Sequence, residues 1–173
     1  LQEQGVQFVI VGHSERRQFY GESDACVAKR AKAVITAGLT AVVCIGETKD
    51  QFEAGETSKV VSTQLKGSLD GIAPEDCAKL VIAYEPVWAI GTGLAATPDI
   101  ASAVHDEIRA LLVSLYGANI AGTIPILYGG STTPANIAEL VSRENIDGAL
   151  VGGSSLKPGV FWDLVKNGRT AKN

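Results

Sequence analysis

The chain has 173 residues, of which 46% are hydrophobic and 20% are charged, a composition typical of a globular protein with a sizeable core. Its formal net charge of -4, with no basic stripe, argues against a nucleic-acid partner. No apolar run approaches the length of a membrane span, and no stretch has the pattern of a signal peptide.

Five apolar runs of strand length alternate with helical patterns along the chain. Ser23 is the predicted N-cap of the helix that follows the first run and ends near Gly38. A helical stretch follows the second run as far as Leu69, with an interruption near Gly55. The predicted strands are residues 8–11, 41–45, 80–84, 124–128 and 148–151.

The second half of the chain repeats the same alternation. Thr97 as N-cap and Pro98 at the first helical position predict a helix with an apolar stripe at residues 100, 104, 108, 111 and 115. Thr133 and Pro134 predict the start of another helix, and residues 161, 164 and 165 indicate a closing one. Strands separated by helices predict an α/β fold with a parallel sheet and right-handed crossovers, in one domain spanning residues 1–173.

The three cysteines, Cys26, Cys44 and Cys77, form no CxxC pair and are odd in number. They fit buried thiols in a reducing compartment better than disulfides or a zinc site, so we expect a cytoplasmic protein. His13 and His105 are the only histidines, and we expect no metal centre. Residues 1–5 have the pattern of a last helical turn that ends on glycine, and the chain contains no methionine, so we expect the sequence to begin within a fold.

A stretch of particular interest is residues 80–93, where an apolar strand ends at the carboxylate of Glu85. Pro86 prevents further strand pairing, and a loop with Trp88, Ile90 and two glycines follows. An acid at the C-terminal end of a strand, beside a loop with glycine hinges, predicts a catalytic base under a lid. The alternative is a charged strand end followed by an ordinary turn.

Glycines and polar residues follow all of the predicted strands, and in a parallel sheet these strand ends meet at one edge. Gly152 and Gly153 precede a helical start, where bare backbone amides attract anions. Ser131 with Gly130, and Gly91 in the lid, offer further amides. Together they predict a phosphate site without lysine, although most glycine pairs are simply tight turns.

His13 comes directly after Val11 and Gly12 at the end of the first strand and lies at the same edge as Glu85, which favours a chemical role. The alternative is a structural histidine hydrogen-bonded to backbone. Glu15 has the simpler interpretation of an ion pair with Arg16 or Arg17. Tyr128 is either functional or merely a strand-end aromatic, and we assign no chemistry to His105, Trp162 or Cys44.

Several motifs, in this order along the chain, resemble those of the triosephosphate isomerase family. They are residues 11–17 (VGHSERR), 44–47 (CIGE), 83–93 (AYEPVWAIGTG), 128–131 (YGGS) and 151–153 (VGG). The resemblance implies a parallel (β/α) barrel of TIM type, represented here by its last five βα units. It also implies a glycolytic and gluconeogenic isomerase that interconverts dihydroxyacetone phosphate and glyceraldehyde 3-phosphate, without a cofactor, as a cytoplasmic homodimer.

The resemblance also implies roles for catalytic residues. Glu85 matches the base that moves a proton between the two carbons of the substrate, and His13 matches the neutral imidazole that polarises the carbonyl. Glu15, beside Ser14, matches a residue that supports the site.

Further residues match the parts of the family that bind and enclose the substrate. Residues 86–92 match the lid, and Ile90 with Leu150 match the apolar pair that raises the basicity of the glutamate by desolvation. The residues that match the phosphate-binding amides are Gly91, Ser131, Gly152 and Gly153.

The length departs from the family pattern, because eight-unit barrels run to about 250 residues. The match begins just before the family's fourth strand, so the asparagine and lysine of its first strand and most of its dimer-forming loop have no counterpart here. We therefore expect weak or no turnover by this chain alone, and open sheet edges that pair with another chain. The alternatives are a non-enzymatic, self-associating remnant and another phosphate-binding barrel enzyme, such as a sugar-phosphate lyase.

Overall fold

A computed structural model describes residues 1–90 and 95–172. Five parallel strands form one sheet in which each strand pairs with the next along the chain, which confirms the predicted α/β class. The register aligns Ile45 with Tyr84 and Tyr84 with Tyr128, so the C-terminal ends of the central strands lie level. The strands are β1 (Phe8–Val11), β2 (Thr40–Ile45), β3 (Leu80–Tyr84), β4 (Ile126–Tyr128) and β5 (Gly148–Ala149).

Helices connect the strands, and short 3-10 turns lie at residues 2–4, 74–79, 87–89 and 153–156. The helices after β1 and β2 are α1 (Ser14–Tyr20), α2 (Asp24–Thr36), α3 (Lys49–Glu53) and α4 (Thr57–Ser68). The helices after β3, β4 and β5 are α5 (Pro98–Tyr116), α6 (Ala118–Ala121), α7 (Ile137–Val141) and α8 (Pro158–Lys172).

Two predicted helix starts are confirmed by their capping bonds. The Ser23 side chain accepts a hydrogen bond from the Cys26 amide at the start of α2, and Thr97 accepts one from the Ile100 amide at the start of α5. The predicted start at Thr133 is wrong, because α7 begins only at Ile137. Residues 133–136 instead form a turn in which the Asn136 side chain accepts from the Thr133 amide.

The sheet has two faces, set by the alternation of side chains along each strand. Residues such as Val43, Ile82 and Tyr84 face the helices and belong to the main core. The other face carries a small cluster of Val42, Cys44, Val81 and Ala83, with Leu127 and Leu150 packed against it. On β1, the outermost strand on one side, Phe8 and Ile10 of this second face are 59% and 48% exposed.

The apolar stripe predicted for α5 is only partly correct. Val104 and Ile108 are buried, but Ile100 and Leu115 at the ends of the stripe are exposed. Ala101, His105 and Leu112 are buried instead, so the helix is rotated relative to the predicted stripe. A periodicity count favours large apolar residues and therefore overlooks a buried face that contains an alanine and a histidine.

In the described part of the chain, every helix is too short or too polar to span a lipid bilayer. Within residues 1–90 and 95–172, no group of three or more histidine, cysteine, aspartate or glutamate side chains is arranged to hold a metal ion.

Candidate active site

A cavity of about 290 Å³ lies at the C-terminal ends of the strands. Most of the predicted site residues line this cavity, and Gly91 lies outside the described residues. Ser14 borders a neighbouring cavity of about 210 Å³, which Glu85 also lines. The lining residues that the sequence predicted are His13, Glu85, Ile90, Ser131, Leu150, Gly152 and Gly153.

The carboxylate of Glu85 and the imidazole of His13 are in direct contact, with 2.9 Å between Oε1 and Nε2. Glu85 is only 2% exposed, whereas His13 is partly open to the cavity. The Ser14 amide donates to Oε2 of Glu85 at 3.0 Å, and the Ser14 hydroxyl lies 3.4 Å from Oε1. Two groups that are 72 positions apart in sequence are thus held together at the edge of the cavity.

The hydrogen bonds of His13 indicate which ring nitrogen carries the proton. Nδ1 accepts from the Glu15 amide at 3.3 Å, a bond that requires an unprotonated nitrogen. The single proton of the neutral ring then lies on Nε2 and is donated to Glu85. The hydrogen bond with Glu85 nevertheless raises the pKa of His13, and this outweighs the lowering by burial.

Glu15 touches His13 through its backbone rather than its carboxylate. His13 is the N-cap of α1, and the Glu15 amide is one of the free donors of the first helical turn. The side chain of Glu15 is exposed, and its charge is a minor influence on His13. The predicted supporting position therefore depends on a main-chain bond that other residues at position 15 could also make.

Glycine is required after β4 because the backbone there approaches Glu85 and Tyr128 closely. A Cβ at Gly129 would lie 2.8 Å from Cγ of Glu85, and one at Gly130 would lie 2.2 Å from the Tyr128 hydroxyl. The next amide, that of Ser131, donates to the Ala89 carbonyl at 3.1 Å. This bond joins the loop after β4 to the segment that follows β3.

The loop after β5 has a more open setting. Gly152 and Gly153 are exposed, and a Cβ at either position would meet nothing within 4 Å. The Ser154 hydroxyl donates to the Thr132 carbonyl at 2.7 Å and so connects this loop to the loop after β4. No lysine or arginine is present among the described residues that line the cavity.

Glu47 is a residue of this region to which the sequence analysis gave no role. It is completely buried, and its Oε1 accepts from the Tyr84 hydroxyl at 3.0 Å and from the Trp88 indole at 2.8 Å. Burial raises the pKa of Glu47, and these hydrogen bonds partly offset that effect. Its position two residues after β2 was the available signal, but the two aromatic donors come from elsewhere in the sequence.

Tyr128 and Cys44 also contact the site. The Tyr128 hydroxyl accepts from the Ala96 amide at 3.3 Å, just beyond the residues that are not described. Cys44 is buried in the small cluster, as expected for a core residue. Its burial raises the pKa of the thiol, and the nearby Glu85 carboxylate raises it further.

Comparisons with known proteins agree with the motifs. Residues 1–168 match the sequence model of the triosephosphate isomerase family. A triosephosphate isomerase of Rhodopirellula baltica is 53% identical over 166 residues, which are 96% of this chain and 65% of that relative. The corresponding protein of Chloroflexus aurantiacus is 50% identical over 161 residues, covering 93% of this chain and 64% of the relative. The chain thus spans slightly less than two thirds of these curated relatives.

Proposed function

We propose that this chain, which belongs to the triosephosphate isomerase family, contributes the proton-transfer site of an enzyme that interconverts dihydroxyacetone phosphate and glyceraldehyde 3-phosphate. The observation that carries the proposal is the contact of Glu85 with His13 beside a cavity edged by glycine loops. Family membership argues against another phosphate-binding barrel enzyme, such as a sugar-phosphate lyase.

In the proposed reaction, Glu85 removes a proton from the carbon next to the substrate carbonyl and returns it to the neighbouring carbon. His13 donates from Nε2 to the carbonyl oxygen and moves the proton between the two oxygens of the enediolate. The substrate thereby isomerises with no net gain or loss of atoms. To reach a carbon, the Glu85 carboxylate has to leave its hydrogen bonds with Ser14 and His13.

The contact between Glu85 and His13 also bears on the charge of the imidazole. While the two side chains touch, the carboxylate favours protonation of the ring. When Glu85 moves to the substrate this influence weakens, whereas the Glu15 amide continues to donate to Nδ1. The main-chain bond therefore supports a neutral imidazole in the reacting complex, where a weakly acidic donor is well matched to an enediolate.

We assign binding of the substrate phosphate to the amides of Gly152 and Gly153, which lie on an exposed loop at the cavity. Ser131 would contribute only after its amide exchanges the Ala89 carbonyl for the phosphate. Ile90 and Leu150 line the same cavity and are placed to exclude water from Glu85. The role of Gly91 in phosphate binding is proposed from the family motif alone, because Gly91 lies outside the described residues.

Turnover by this chain alone is proposed to be weak. The cavity lacks a lysine or arginine among its described lining residues, although negative charge develops on the substrate oxygens. Loss of one positioned donor to such an oxygen typically raises a barrier by about 3 kcal/mol.

The function is tested by coupled assays with glyceraldehyde 3-phosphate. We expect weak turnover that His13→Gln removes, and a large increase when a polypeptide carrying the family's first three βα units is added. Absence of any increase, with the added polypeptide shown to bind, would contradict the proposal.

Self-association is the second candidate function, and the exposure of Phe8 and Ile10 on β1 favours it. Within the described residues, β1 and β5 each pair with only one other strand, and such sheet edges readily accept another strand. Phe19 and Tyr20, each 70% exposed at the end of α1, provide a second apolar surface, in keeping with the proposed homodimer. Sedimentation velocity distinguishes a monomer from self-associated species, and a compact monomer at all concentrations would exclude self-association.

A further inference from the structure

His105 is a buried side chain for which the proposed mechanism has no use. It lies on α5, is 0% exposed, and its Nδ1 is 2.9 Å from the Asn145 carbonyl. Because a carbonyl can only accept, Nδ1 carries the proton and Nε2 is an unprotonated acceptor. Nε2 has no hydrogen-bond partner among the described residues.

The ring of His105 lies against two tyrosines on neighbouring strands. Tyr84 meets it edge-on, with ring centroids 5.8 Å apart and planes at 83°, a favourable arrangement for aromatic rings. Tyr128, the register partner of Tyr84, lies with its centroid 6.4 Å away at 38°. A single side chain therefore contacts both members of this cross-strand pair.

Each tyrosine holds one end of the segment that follows Glu85. Tyr84 donates to Glu47, which also accepts from the indole of Trp88 near the start of the segment. Tyr128 accepts from the amide of Ala96 near its end. Between these two attachment points lie residues 89–95, of which 91–94 are not described.

We propose that His105 is a positioning residue for the two attachments at Trp88 and Ala96, because its ring keeps Tyr84 and Tyr128 in place and so couples these attachments. The coupling does not depend on the proposed function. The Asn145 carbonyl fixes the rotation of the ring, and Asn145 is in turn held by Arg109 at 3.1 Å.

A histidine suits this position better than an ordinary core residue would. A phenylalanine would provide the aromatic contacts but leave the Asn145 carbonyl without its donor, and an asparagine would provide the donor but no ring. The two substitutions therefore separate the ring contact from the hydrogen bond. A merely structural histidine predicts that both variants affect the whole fold and neither affects the segment selectively.

The experiment measures hydrogen exchange by NMR in the full chain, at the Ala96 amide and at the Trp88 indole. A Trp162→Phe background leaves Trp88 as the only tryptophan. His105→Asn and His105→Phe are compared with Leu112→Ala, a control in which another fully buried residue of α5 is shortened about two turns further along the helix.

We expect His105→Asn to accelerate exchange at both sites by at least tenfold, His105→Phe by less than threefold, and Leu112→Ala by no more than its loss of global stability explains. His105→Gln replaces His105→Asn should the latter not fold. Equal acceleration in Leu112→Ala, or unchanged exchange in the ring-less variant, would overturn the proposal. The measurement needs no substrate, so its outcome does not depend on whether the chain isomerises triose phosphates.

Discussion

We expect the buried His105 to lower the stability of the fold in mild acid, and replacing it by glutamine tests this expectation. Burial lowers the pKa of His105 from 6.5 to about 4, while the Asn145 carbonyl and the carboxylates of Asp147 and Asp106 raise it and Arg109 lowers it further. Protonation would put a charge on Nε2, which has no hydrogen-bond partner among the described residues.

The direction of this pH effect on stability depends on whether the folded or the unfolded state binds more protons. Between pH 6.5 and about 4 the unfolded chain carries a proton on His105 and the folded chain does not, so the stability contribution is complete above pH 6.5 and is lost as the pH falls. At 1.36 kcal/mol per pH unit, the fall from 6.5 to 5 removes about 2 kcal/mol.

The assay is urea denaturation of the wild type and His105→Gln at pH 7.5 and pH 5.0. The quantity compared is the change in the free energy of unfolding between the two pH values. The absolute stability of the variant is not compared, because glutamine also changes the packing. We expect the free energy of unfolding to fall by about 2 kcal/mol less in the variant than in the wild type over this interval.

His13→Gln is the matched control, since His13 is the only other histidine. The Glu85 contact raises its pKa, so its contribution is present below pH 6.5 and lost as the pH rises through the raised value. Removing it should therefore enlarge the acid loss, opposite to the effect at position 105. An identical acid loss in the wild type and His105→Gln would refute the assignment of a buried neutral imidazole.

Three other substitutions test separate parts of the structure. Glu85→Gln should lower the turnover of the complemented protein by about 10³-fold, yet phosphate should still raise its melting temperature; retained turnover would exclude Glu85 as the base. Gly130→Ala should lower the free energy of unfolding in urea by about 2 kcal/mol, because its Cβ would meet the Tyr128 hydroxyl at 2.2 Å; a neutral result would show that the tyrosine can move aside. Arg109→Met should cost about 2 kcal/mol in the same assay, since it removes the ion pair with Asp147 at 3.0 Å together with the hydrogen bonds to Asn145 and to the Ile124 carbonyl, and unchanged stability would contradict the importance of this set of bonds.

Much of the fold follows from local signals in the sequence. The capping residues Ser23 and Thr97 and the apolar run of β3 act within a few positions, and the predicted boundaries there are nearly those observed. The helix α1 was missed because its cap is His13, which accepts from the Glu15 amide although histidine is not a usual capping residue.

The position of the candidate residues at one edge of the sheet is predictable from the sequence, but their hydrogen bonds are not. That Glu85 and His13 lie at one edge follows from parallel strands, whereas their direct contact depends on how β1 and β3 sit around β2. The hydrogen bonds of Glu47 likewise join two separate stretches of the chain, and no pattern within one stretch specifies them. The buried face of α5 was mispredicted for a related reason, because His105 is buried through tertiary contacts and not through its hydropathy.

The alternation of side chains at the end of β3 links the proposed chemistry to the proposed lid. Tyr84 faces the helices and meets His105, whereas the next residue, Glu85, faces the opposite side and meets His13. A shift of the Tyr84 backbone therefore moves the carboxylate as well as the hydroxyl that donates to Glu47. We therefore expect a change at His105 to reach both the proposed base and the Glu47 contact of Trp88 through the peptide between Tyr84 and Glu85.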